Sequence, residues 1–169
     1  MQAIVRILEH RRLPFLLLFA TCTSLLAFGL YLQYVKGQEP CPMCIMQRYA
    51  FVGVAIIALI AGIHGAGGTG RRIYGLLLAL AALAGGGVAA RQSWIQIYPP
   101  AIPECGPGLE FMLDSFPLAD ALPMIFRGAG DCTERAWTFL GLSIANWSLI
   151  CFAAIALFGA LVALRRTQR

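Results

Sequence analysis

Four apolar stretches, each long enough to cross a bilayer, constrain this chain more than anything else in it. They run roughly over Leu13–Val35, Ile45–His64, Ile73–Ala90 and Ala145–Leu164, each close to the ~20 residues that cross ~30 Å of hydrocarbon. No water reaches backbone polar groups inside a bilayer, so such runs fold as helices that satisfy their own N–H and C=O groups. Composition agrees, since 59% of residues are hydrophobic and 12% charged, with a mean hydropathy of +0.74. An ordinary soluble domain is far less apolar. The expectation is an all-α membrane protein, a four-transmembrane-helix bundle that forms one integral membrane domain over residues 1–169.

Arg6, Arg11 and Arg12 precede the first run much as basic residues precede a secretory signal. That run exceeds a signal core, ends in no small-x-small site and continues through Tyr31 and Tyr34, residue types that favour a membrane interface. It is expected to stay as a helix, with Pro14 near its start, where a missing N–H costs little. Orientation follows from the arginines. Both termini and the Gly65–Arg72 link share one side, which holds Arg6, Arg11, Arg12, Arg71, Arg72, Arg165, Arg166 and Arg169 against Glu9 alone. The positive-inside rule makes that side cytoplasmic. The loops 36–43 and 91–143 then face outward. The net charge of +5 is a topology signal and gives no case for nucleic-acid binding.

The second run opens on Cys41-Pro42-Met43-Cys44-Ile45-Met46-Gln47-Arg48. A Cys-x-x-Cys pair at a helix N-terminus has an acidic thiol, because the helix dipole favours the thiolate. Arg48, one turn after Cys44, projects from the same helix face and adds a cation. A zinc site would need more ligands, yet no second Cys-x-x-Cys exists and His10 and His64 lie far off, so no metal is expected. Haem attachment would need histidine where Ile45 stands. A structural disulfide remains the bland alternative to redox chemistry.

The other cysteines divide by position. Cys41, Cys44, Cys105 and Cys132 fall on the outward side, where disulfides persist, and Cys22 and Cys151 fall inside apolar runs as small hydrophobes. Four cysteines allow three pairings. Adjacency favours Cys41–Cys44 with Cys105–Cys132, and an interloop bond is a possible transient. Pro99, Pro100, Pro103 and Pro107 keep the arm around Cys105 extended. Leu109–Phe126 mixes acidic and large apolar residues and reads either as a segment on the membrane surface or as ordinary loop packing. Gly85-Gly86-Gly87 lets a neighbouring helix come close. Arg91, Gln92, Trp94 and Gln96 at the outward end of the third run suit an interface and could border a headgroup-level pocket facing Arg48. Gly65–Gly70 reads as a flexible turn.

The chain resembles the DsbB family of disulfide bond formation proteins over nearly its whole length. The resemblance rests on Pro40-Cys41-x-x-Cys44 followed by Arg48, on Gln96-x-Tyr98-Pro99 before Cys105, and on Gly130-Asp131-Cys132-Thr133-Glu134-Arg135-x-Trp137-x-Phe139-Leu140-Gly141-Leu142. It implies a protein-dithiol:quinone oxidoreductase, multi-pass in a bacterial inner membrane, that reoxidises a DsbA-like periplasmic thiol oxidase. By the same resemblance Cys105–Cys132 takes electrons from the partner and Cys41–Cys44 passes them to ubiquinone or menaquinone from the membrane pool. Arg48 would stabilise the Cys44 thiolate and the charge on the quinone oxygen, with Gln92 and Arg91 beside them. Some members of that family carry a histidine where this chain has Gln92. Glutamine can hydrogen-bond a quinone carbonyl but carries no charge. Two other classes compete: a vitamin K epoxide reductase-like enzyme, which places its Cys-x-x-Cys late in the chain, and a disulfide-braced membrane scaffold without activity.

Overall fold

A computed structural model describes residues 12–65, 67–99, 115, 117, 132 and 137–164. Four helices dominate: α1 (Leu13–Tyr34), α2 (Pro42–His64), α3 (Gly68–Ile97) and α4 (Ile144–Leu164), with a short hairpin of β1 (Thr138–Phe139) and β2 (Leu142–Ser143) before α4. All four are long and apolar enough to cross a membrane. Polar residues within them do not break the pattern. The hydroxyls of Thr21, Thr23 and Ser24 each donate to the carbonyl one turn back, at 2.9 Å, which removes an unpaired donor from lipid.

The helices begin earlier than two of the apolar runs, α2 at Pro42 rather than Ile45 and α3 at Gly68 rather than Ile73, and the largest departure is at the outward end of α3. The sequence reading ends the third span at Ala90 and begins the outward loop at Arg91, whereas α3 extends from Gly68 to Ile97. Hydrophobicity measures what sits in lipid, and nothing in Arg91–Ile97 interrupts helical hydrogen bonding before Pro99. The extension matters because it carries Gln92 and Gln96 on a rigid helix. The link between α2 and α3 is correspondingly shorter than Gly65–Arg72, with Gly65 closing α2 in a left-handed conformation at φ 59°, a geometry that costs glycine little.

Adjacent helices in sequence pack on one another, and α3 against α4 is the most extensive contact. Two glycines explain it. A Cβ at Gly75 would lie 2.7 Å from the Gly159 carbonyl, and one at Gly159 would lie 2.7 Å from the Gly75 carbonyl. The backbones therefore touch, as small residues allow in membranes. The Gly85-Gly86-Gly87 run contributes less than its composition suggests. Gly85 leaves room for the Phe152 ring and Ala50, Gly86 makes ordinary contact with Phe152, and nothing lies within 4 Å of a Cβ at Gly87. Phe152 in turn stacks on Phe51 of α2, with centroids 4.2 Å apart and planes at 19°, tying three helices together. The core around them includes Phe15, Cys22, Val54, Leu78, Ile155 and Val162. Cys22 is the buried small hydrophobe expected of it.

The first and last helices behave differently. Phe15 and Phe158 meet edge to face at 6.0 Å, but α1 and α4 share few other contacts. Toward the Cys41 end they part, and a cavity opens between them. The hairpin covers that end. Its register pairs Thr138 with Ser143 and Phe139 with Leu142, and Leu140 (φ 52°) and Gly141 (φ 78°) form the turn. Two successive left-handed residues are the twist-matched way to close so short a hairpin. Ser143 then caps α4, accepting from the Asn146 N–H at 3.4 Å while its hydroxyl donates to Gln96 Oε1 at 2.6 Å. The cap thus fastens α4 to the end of α3.

Candidate functional site

Cys41 sits at the N-cap of α2 in an extended conformation, and its sulfur accepts from the Cys44 N–H at 3.4 Å. Pro42 follows at the position where a helix loses nothing by lacking an N–H. This places Cys44 in the first turn, where the unpaired N–H groups of the helix converge. The Cys41 thiol donates to Cys44 Sγ at 3.1 Å. From α3, the Gln92 amide Nε2 donates to Cys41 Sγ and to Cys44 Sγ, both at 3.3 Å. Its Oε1 in turn accepts from Gln47 Nε2 at 2.6 Å. Both glutamines are 3% exposed, so this is a buried polar network in which each amide finds a partner.

Cys132 completes the group of thiols. It is fully buried and packs in a cluster with Cys41, Met43, Val88 and Ile95. Hydrogen bonding to Cys132, then to Cys44, together with burial, holds the Cys41 thiol well above its usual value. Cys41 therefore stays protonated near neutral pH and can serve as a donor. It lies between Cys132 on one side and Cys44 on the other.

Arg48 lies one turn further along α2. Its Nη1 donates to Gln33 Oε1 at 2.5 Å and its Nη2 to the Gly29 carbonyl at 3.1 Å, both on α1. Both acceptors are neutral, so the guanidinium is fixed in place without losing its charge.

Cys44, Gln47, Arg48 and Gln92 line one cavity of about 350 Å³, within the range of small-molecule sites. Its walls are apolar and aromatic. Leu25, Leu26, Phe28 and Leu32 come from α1, Phe51 from α2, and Trp147 and Cys151 from α4, with Trp137 and Phe139 of the hairpin region above. These aromatic groups hold each other in place. Phe28 meets Trp137 edge to face at 5.5 Å, and the Trp147 indole N–H donates to the Phe139 carbonyl at 3.1 Å. A flat apolar molecule with polar oxygens suits this lining, since Gln47, Arg48 and Gln92 supply polar groups near Cys44 within largely apolar walls. A quinone has that chemistry, and Arg48 and Gln92, which line the cavity, could hold its oxygens.

The residues singled out from sequence have thus mostly come together. Cys41, Cys44 and Cys132 form one cluster, and Arg48, Gln92 and Gln96 border the cavity beside it. Arg91, half-buried on α3, does not line the cavity, because it precedes its neighbour Gln92 by 100° around the helix. Trp94 is also directed elsewhere, 58% exposed and packed at 4.8 Å on Tyr98. Cys105, the proline-rich arm beyond Pro99 and most of Leu109–Phe126 lie outside the described residues. Sequence reading missed Gln33, Gln47 and the aromatic cover. Of these, Gln47 carried a signal by position, inside the Cys-x-x-Cys-x-x-x-Arg stretch and one turn from Cys44, and Trp137 and Phe139 stand in the run that carries the family resemblance.

Residues 11–162 match the family described as disulfide bond formation protein DsbB. The chain belongs to the DsbB family. It is 70% identical to the disulfide bond formation protein B of Azoarcus sp. strain BH72 over 149 residues, covering 88% of this chain and 90% of that one. The protein of the same name from Aromatoleum aromaticum is 64% identical over 155 residues, 92% of this chain and 93% of that one. That of Polaromonas sp. strain JS666 is 56% identical over 148 residues, 88% and 87% of the two chains. As a DsbB family member with four spanning helices, the chain is a multi-pass membrane protein, and the family is one of oxidoreductases of disulfide formation.

Proposed function

We propose that this DsbB family chain transfers electron pairs from a soluble DsbA-like dithiol oxidase to a membrane quinone, with both termini in the cytoplasm. One observation carries the reading: Cys41, Cys44 and Arg48 line a single apolar cavity, while Cys41 is also hydrogen-bonded to Cys132, which does not line it. A relay needs such a centre, reachable from a loop on one side and from a membrane-soluble acceptor on the other.

The thiol steps are balanced exchanges. A thiolate of the reduced partner attacks Cys105 of a Cys105–Cys132 disulfide, which forms a mixed disulfide and releases the Cys132 thiolate. Cys132 attacks Cys41 of the Cys41–Cys44 disulfide, forming Cys41–Cys132 and releasing Cys44 as thiolate. The partner's second thiol resolves the mixed disulfide, so the partner leaves oxidised and Cys105 leaves as thiolate. Cys105 then attacks Cys132, restoring Cys105–Cys132 and returning Cys41 as a thiol after it takes up a proton. Two electrons now reside on Cys41 and Cys44. Quinone supplies a sink for two electrons and two protons, leaving as quinol while the Cys41–Cys44 disulfide re-forms.

Each residue has a physical task in this sequence. The Gln92 amide and the Cys41 thiol donate to Cys44 Sγ and stabilise charge on it. Arg48, held by neutral acceptors, offers its charge to the quinone oxygen as negative charge develops there. The aromatic cover and apolar walls exclude water, which strengthens these interactions.

The test is quinone reduction by the purified protein with reduced DsbA-type partner. Wild type is expected to turn over, and Cys44→Ser to be inactive. Arg48→Gln should raise the KM for quinone by roughly tenfold or more, the worth of one charge-assisted hydrogen bond. Normal turnover by Cys44→Ser would refute the electron path. No turnover by wild type with ubiquinone or menaquinone analogues would favour the scaffold reading.

A further inference from the structure

Gln47 is absent from the steps above, yet it is 3% exposed and makes the shortest contact in the thiol network. Its Nε2 donates to Gln92 Oε1 at 2.6 Å. The other end of the Gln92 amide donates to both Cys41 Sγ and Cys44 Sγ at 3.3 Å. An amide presents a carbonyl at one end and an NH2 group at the other, so turning it over exchanges donor for acceptor. Gln92 Oε1 also accepts from the Cys44 thiol at the longer distance of 3.7 Å. If the amide turned, its oxygen would take the closer 3.3 Å position to both sulfurs and its Nε2 would face the Gln47 donor at the same short distance. A sulfur gaining negative charge would then meet an acceptor. The donor from Gln47 blocks that arrangement, and burial leaves no water to replace it.

We infer that Gln47 is a positioning residue, acting through Gln92, that keeps an N–H directed at each sulfur of the Cys41–Cys44 pair and so sustains the reactivity of Cys44. The inference deepens the proposed relay and rests on it for its consequence in turnover, but the arrangement itself is seen with free thiols and needs neither quinone nor partner. The spacing supports this role. Gln47 stands three residues after Cys44 and one before Arg48, so a single turn of α2 carries the reacting sulfur, the residue that orients its donor and the cation. A residue kept for packing alone would have no need of an amide here, since Met or Leu fills similar space without polar atoms to satisfy.

The experiment is a double-mutant cycle on the full-length chain in detergent, reduced and free of quinone and partner. The readout is the rate at which iodoacetamide modifies Cys44 at one fixed pH, followed by peptide mass spectrometry. Gln92→Met is expected to slow Cys44 roughly tenfold, as loss of a charge-assisted hydrogen bond would. Gln47→Met should slow it several-fold, and the double variant should be no slower than Gln92→Met alone. If Gln47→Met fails to fold, Gln47→Glu carries the test. It keeps the size and, at a fixed pH high enough to ionise it, can only accept at that end, and the Gln92→Met background subtracts its through-space charge. A wild-type rate in both Gln47 variants would overturn the inference. So would slowing of equal size with and without Gln92, because Gln47 would then act by another route. Neither result bears on quinone turnover by wild type, which tests the proposed function separately.

Discussion

Arg48 illustrates how a charge can be kept at a membrane site. An arginine at the centre of a spanning helix costs up to ~2.5–3.5 kcal/mol on insertion scales, and less toward the end where Arg48 stands. The cost is softened by Gln33 and the Gly29 carbonyl, which hydrogen-bond the guanidinium without neutralising it. That choice of partners yields a prediction opposite to the usual intuition about salt bridges. Gln33→Leu removes one acceptor and should raise the quinone KM several-fold, leaving kcat nearly unchanged. Gln33→Glu gives Arg48 a stronger partner, yet it should raise KM further, because the paired charge is no longer available to the quinone oxygen. Steady-state kinetics against quinone concentration distinguish the two, and a KM for Gln33→Glu at or below wild type would contradict this account. The contrast also marks what was legible at this scale. Cys41, Cys44 and Arg48 lie within one stretch, so helical spacing alone brings them to one face. Gln33 reaches Arg48 across 15 positions and Gln92 reaches Gln47 across 45. Such pairings depend on how helices rotate against each other, which no local pattern encodes.

Among the elements, glycines separate into those the packing requires and those it does not. Gly75 and Gly159 each sit with backbone atoms of the facing helix within 2.8 Å of where a Cβ would be. Backbone cannot step aside as the tip of a side chain can, so Gly75→Ala or Gly159→Ala should cost about 1–3 kcal/mol. Thermal unfolding in detergent should show this as a Tm lowered by several degrees. Gly87→Ala is expected to leave Tm unchanged or raise it slightly, since that position is open and alanine favours helix by up to ~1 kcal/mol. Equal loss at Gly75 and Gly87 would mean that helix propensity, not the α3–α4 contact, sets the response. In the sequence the three consecutive glycines suggest the contact point, because a cluster stands out in one dimension. Gly75 and Gly159 stand alone on different helices, and only their juxtaposition reveals them. The end of α3 is obscured for a related reason: hydropathy falls at Arg91 while the helix continues to Ile97. Four helices of membrane length are readable throughout, since their signal comes from about twenty residues at a time.

On the scale of the whole molecule, up-down alternation of four helices brings all the described reactive groups to one end. The Lys36–Cys41 connection, the end of α3, the hairpin and Cys132 meet there, and the opposite end holds Arg12, the Gly65–Gly67 turn, Arg71 and Arg72. The two ends differ in charge as well as chemistry. Insertion responds to arginine and lysine in short flanking segments, so the same arginines that orient the chain also determine which compartment the thiols meet. A thiol relay that accepts electrons from a secreted oxidase works only with its cysteines in the oxidising compartment. Orientation and function are therefore one prediction. Lys36→Cys and Thr69→Cys, both at exposed positions, place thiols at opposite ends and away from the cavity. With a membrane-impermeant maleimide on intact cells, peptide mapping should find the Lys36→Cys variant labelled at its new thiol. The Thr69→Cys variant should stay unlabelled at its own until the inner membrane is opened. The reverse pattern would put Cys41 and Cys132 in the reducing cytoplasm. There a glutathione-buffered environment would keep them as thiols whatever the cavity binds, and the proposed direction of electron flow would have no partner to begin from.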